Sequence, residues 1–64
     1  MTLAEKVKYH RETLGLTQLQ LAVKADVANM TVSFIESGRN KKLRRSTRIK
    51  LAKVLGIKEE ILIP

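Results

Sequence analysis

Eight of the thirteen lysines and arginines lie between Arg39 and Lys53, and no acid interrupts them. They are Arg39, Lys41, Lys42, Arg44, Arg45, Arg48, Lys50 and Lys53. On a chain of net charge +7, such a run is the electrostatic footprint of a surface for a polyanion. The plainer reading is a solvated face kept apart by repulsion. Immediately upstream stands "NMTVSFIE", residues 29–36. At helical spacing Val32, Ile35 and Glu36 share one face, and Asn29, Met30, Ser33 and Phe34 share another that carries no charge. The uncharged face suits the edges of base pairs in a DNA major groove. An Asn amide can bond adenine through both of its polar groups, and Met and Phe can pack on thymine methyls. Ser33 and Thr31 can reach a base or a phosphate. Each residue also has a structural alternative. Asn29 could cap the helix, Met30 could fill the core, and Phe34 could fold over the loop or meet a second subunit. Thr31 and Ser33 could be plain surface.

Other chemistry is sparse. There is no cysteine, and the lone His10 has no partners with which to hold zinc. No nucleophile–base pair, metal cluster or glycine-rich phosphate loop is present, so no enzyme, cofactor, metal or small-molecule ligand is expected. No apolar run approaches the roughly 20 residues that span a bilayer, and no signal peptide is visible. The expected compartment is the cytoplasm, with no membrane partner.

Two charges sit where apolar residues belong. Arg11 falls in the stripe Leu3, Val7, Arg11, Leu14, and Glu36 falls in the stripe with Val32 and Ile35. A single buried charge would cost several kcal/mol or more. Two opposite charges on two inward faces are satisfied if they meet, and a guanidinium can grip a carboxylate through two hydrogen bonds. The alternative is that each snorkels to the rim. The pairing reading makes Arg11 and Glu36 architectural.

The elements that must position these residues are short helices. "TLAE" and "TQLQ" are capping boxes that open helices at about 3–13 and 18–25. Gly15 stops the first, and Asp26 breaks the second. Leu21, Ala22 and Ala25 form the inner stripe of the second helix. The third runs over about 29–36 and stops at Gly38. A basic loop, "RNKKLRRS", precedes a fourth helix at about 47–55, capped by Ser46, with Ile49, Ala52 and Leu55 inward. "IKEEILIP" leaves room for a short fifth helix at about 58–62 or an apolar tail. Nothing alternates with period two, so no sheet is expected. The 64 residues form one all-α domain, residues 1–64, of modest stability because so short a chain buries only about 60% of its surface.

"LGLTQLQLAVKADVANMTVSFIESGR" followed by "LAKVLGI" resembles the Cro/repressor-type helix-turn-helix domain, the class of the lambda and 434 phage repressors. The likeness covers about residues 3–62. It implies a compact five-helix, lambda-repressor-like fold with helix 3 as the recognition helix, of bacterial or phage origin. It implies that Gln18 clamps a phosphate and that Asn29, Met30 and Phe34 face bases. It implies that Arg39, Asn40, Lys41, Lys42 and Arg44 follow the DNA backbone, with Thr31 beside them. A buried pair matching Arg11 and Glu36 occurs in some members. The chain departs from the pattern at Asp26, usually glycine, and at Ala28, usually a capping Ser or Thr. Leu43 stands where proline is common, and Arg45 and Glu59 stand where apolar residues are common. The function that follows is a sequence-specific regulator of transcription, a repressor, binding a double-stranded operator as a homodimer. The competing reading is a protein-interaction module, such as the antitoxin half of a toxin–antitoxin pair, with Phe34 and "EEILIP" on the partner.

Overall fold

The computed structural model describes all 64 residues. Helix α1 spans Leu3–Thr13 and opens with both halves of its capping box: the Glu5 N–H donates to Thr2 Oγ1 at 3.2 Å, and the Thr2 N–H donates to Glu5 Oε1 at 2.9 Å. The Thr2 backbone N–H, helped by the Thr2 hydroxyl, holds the Glu5 carboxyl below its usual value. Helix α2, Gln18–Ala25, repeats the device with Thr17 and Gln20 at 3.0 and 2.8 Å, and buries Leu21, Ala22 and Ala25. It ends at Asp26, which adopts the left-handed conformation at φ 55° that glycine usually supplies. Asp is among the few residues whose short polar side chain tolerates this. Three residues later α3 begins, spanning Asn29–Glu36, with Val32 and Ile35 fully buried.

Helix α4 spans Arg45–Leu55 and starts two residues before the expected Thr47. Its N-cap is Arg44, which supplies no side-chain bond, and Ser46 lies inside the first turn instead of capping it. The cause is Leu43. This one apolar residue of the basic loop is buried, so the loop is pinned to the core and the chain turns helical soon afterwards. The inward stripe of α4 is accordingly 48, 51, 52 and 55. Leu51, Ala52 and Leu55 are buried, whereas Ile49, expected inside, is 42% exposed. Arg48 takes the first place on that stripe, with one Nη atom 3.9 Å from Glu59 Oε1 and its Nε unpartnered.

The fifth element is not an α-helix. It is a 3-10 turn, Glu59–Leu62, that starts one residue later than expected and drops Leu62 into the core. Glu59 is accommodated at a usually apolar position because it faces Arg48. Leu14, placed by spacing on the α1 stripe, is half exposed, since α1 ends at Thr13 and its inward face closes with Arg11. The four helices and the turn surround one core of twelve residues, all apolar. In that core α2 packs on α3 and α4, while α1 packs on α3 and the 3-10 turn. No helix is long and apolar enough to cross a membrane.

Candidate nucleic-acid interface

The interface is built outward from Glu36. Arg11 donates from Nε to Glu36 Oε2 at 2.7 Å and from Nη2 to Oε1 at 2.9 Å, while its Nη1 donates to the Leu16 carbonyl at 2.7 Å. The two side chains are 11% and 4% exposed. The hydrogen bond to Glu36 raises the Arg11 pKa above its usual value, against the opposing cost of burial. Gln18, at the first position of α2, donates from Nε2 to the same Glu36 Oε1 at 3.2 Å. An amide nitrogen has two hydrogens. One is held by Glu36, which fixes the side chain; the second is left for an acceptor outside the fold.

With Glu36 turned in, α3 turns its other face out. Asn29 and Met30 are exposed, Met30 at 61%, and Asn29 does not cap the helix. Ala28 occupies the cap without a side-chain bond, so the amides of the first turn of α3 lack that partner and carry the positive end of the helix dipole. Thr31 and Ser33 are half-buried. Phe34, read from the sequence as facing bases, folding over the loop or meeting a second subunit, lies against the loop. It is half-buried, and the Arg39 guanidinium lies over it, 5.4 Å from the ring centroid.

That contact follows from the backbone after α3. Gly38 has φ +84°, and a Cβ there would meet nothing within 4 Å, so glycine is needed for its backbone angle and not for room. The reversed chain is held by the Asn40 N–H donating to the Phe34 carbonyl at 3.0 Å and by the Ser37 hydroxyl donating to the same carbonyl at 3.1 Å. Beyond it Lys41, Lys42 and Arg44 are exposed and Asn40 is half-buried. Thr31, Asn40, Lys42, Leu43, Arg44 and Thr47 line an open polar depression of about 520 Å³ between α3 and the start of α4. Spacing alone does not pick out Thr47 as a member of this group. The signal for the loop's anchorage was Leu43, a lone apolar residue among cations.

The chain matches the helix-turn-helix family over residues 7–62. Among solved structures it is similar to SinR, described as a master regulator for biofilm formation, in complex with DNA. The identity is 26%, the TM-score is 0.90, and the match covers 95% of this chain and 97% of that one. The N-terminal DNA-binding domain of SinR from Bacillus subtilis matches at 27% identity and TM-score 0.90, over 94% and 87% of the two chains. The P22 c2 repressor bound to a synthetic operator shares the fold at 21% identity and TM-score 0.90, over 98% and 94%. No curated protein sequence matches the chain.

Proposed function

Because the chain belongs to the Cro/repressor-type, lambda-repressor-like helix-turn-helix family, we propose that it is a sequence-specific DNA-binding regulator of transcription, a repressor that occupies its operator as a homodimer. The observation that carries this reading is the uncharged outward face of α3 flanked by an acid-free, exposed cationic loop. A helix of this width enters the major groove, where Asn29, Met30 and Ser33 meet base edges. Lys41, Lys42 and Arg44 hold phosphates and set the register without reading sequence. Thr31 and Asn40 line the depression beside those cations and join them on the backbone. Gln18 adds a phosphate contact through the amide hydrogen that Glu36 does not use. Two copies would sit about 34–36 Å apart on one side of the duplex. The structures of SinR in complex with DNA and of the P22 c2 repressor in complex with a synthetic operator support the same mode of use.

Titration with random-sequence duplex DNA at rising salt tests the reading. Six phosphate contacts give a log–log slope of affinity against salt near about −5. No binding at low salt, or a flat response, would sink it and favour the protein-partner alternative.

A further inference from the structure

The sequence places Arg39 among the backbone contacts, but its surroundings give it another task. Helix α3 contains no lysine or arginine, so it has no residue that can bond both acceptors on a guanine edge. Arg39 is the first cation after it, and the left-handed turn at Gly38 carries the chain back. The guanidinium comes to rest over Phe34, 5.4 Å from the ring centroid. Phe34 stands one helical turn from Met30 and on the same face, the face turned away from Val32 and Ile35. The guanidinium therefore lies at the C-terminal end of the groove-facing surface, opposite Asn29. It forms no ion pair, and the one hydrogen bond near it is from the Arg39 backbone to Ser37 Oγ at 3.4 Å, so its side-chain donors are free.

We propose that Arg39, held over Phe34, is a specificity-determining residue that reads a guanine at O6 and N7 in the major groove. The inference rests on the DNA-binding reading above and deepens it. A phosphate contact needs only a positive charge within reach and is met from many rotamers. A base contact needs a planar fork in one place. Stacking on an aromatic ring supplies that placement in advance and spares the ordering of a long, mobile side chain at the moment of binding. Phe34 is then a positioning residue and not a thymine-methyl contact.

The test is selection of sites from a synthetic duplex pool with a randomised centre, using the wild-type chain, Arg39→Ala and Phe34→Leu, with circular dichroism to confirm that each is folded. The wild type should enrich a guanine at one position of each half-site. Both variants should lose that preference while keeping the others, with discrimination at that position falling about 10- to 100-fold. Replacing the guanine by 7-deazaguanine should weaken the wild type and leave Arg39→Ala unaffected. The proposal is overturned if Arg39→Ala still selects guanine. It is overturned equally if that variant weakens all duplexes alike and flattens the salt slope by about one unit, the mark of a phosphate contact. In both cases DNA binding itself stands. Enrichment of nothing by the wild type would instead remove the DNA reading and this assignment with it.

Discussion

Glu36 serves three donors with two oxygens: Nε and Nη2 of Arg11 and Nε2 of Gln18. Removing it strands a largely buried guanidinium. Glu36→Ala should cost about 3–5 kcal/mol, a large share of the about 5–15 kcal/mol typical of a native domain. The midpoint of urea unfolding measures this. Arg11→Met combined with Glu36→Leu should recover most of the loss, because the penalty comes from the unpaired charge and not from the missing pair. A drop under about 1 kcal/mol for Glu36→Ala would show the pair to be peripheral. Glu5 offers a test in pH. Its folded carboxyl titrates below its ordinary value of 4.5, so its contribution to stability is present above that value and is lost as pH falls through the lowered one. Glu5→Gln keeps the capping geometry without the charge. Its thermal midpoint should decline less than that of the wild type as pH falls below about 4.5, the two curves converging in acid.

At the scale of elements, the two capping boxes and the stop at Gly56 set three helix ends by local chemistry, and these were legible residue by residue. Helices α3 and α4 both start without a side-chain cap, and in α3 the residue at the cap is Ala28. The backbone there is already extended, at φ −65° and ψ 144°, which suits a capping serine. Ala28→Ser should therefore stabilise the fold by about 0.5–1 kcal/mol. Differential scanning calorimetry should show the melting temperature rising by roughly 2–8 °C. An unchanged value would mean that the first turn of α3 is already satisfied by other partners. The register of α4 was not legible in this way. Ile49 and Arg48 are adjacent, and hydrophobicity alone assigns the inward place to Ile49. The burial of Leu43 starts the helix earlier, and the pairing of Arg48 with Glu59 lets a charge occupy the stripe.

For the whole molecule, the fold brings Lys42 and Arg44 of the basic loop around one depression with Thr31 of α3. The exposed loop cations lie beside α3, while the acids Glu5 and Glu12 belong to α1. Electrostatic binding in this arrangement counts phosphates. Lys41→Ala should weaken binding to every duplex alike and flatten the log–log salt slope by about one unit, read by fluorescence anisotropy at several salt concentrations. A slope equal to that of the wild type would take Lys41 off the DNA backbone. The contrast with Arg39 is a contrast of surroundings. Both residues are exposed, but Arg39 is laid on an aromatic ring and Lys41 is not.

The chain by itself determined the all-helical class, the limits of the first three helices, the inward stripes of the second and third, and the inward turn of both Arg11 and Glu36. Caps, periodicity and the cost of a buried charge act over a turn or between two faces, and they can be evaluated without knowing where the rest of the chain goes. Tertiary structure alone decided that Leu43 anchors the loop, that α4 begins at Arg45, that the last element is a 3-10 turn, and that Arg39 lies over Phe34. Each of these depends on where a non-periodic segment returns to the core, and that is set by packing between elements far apart in sequence.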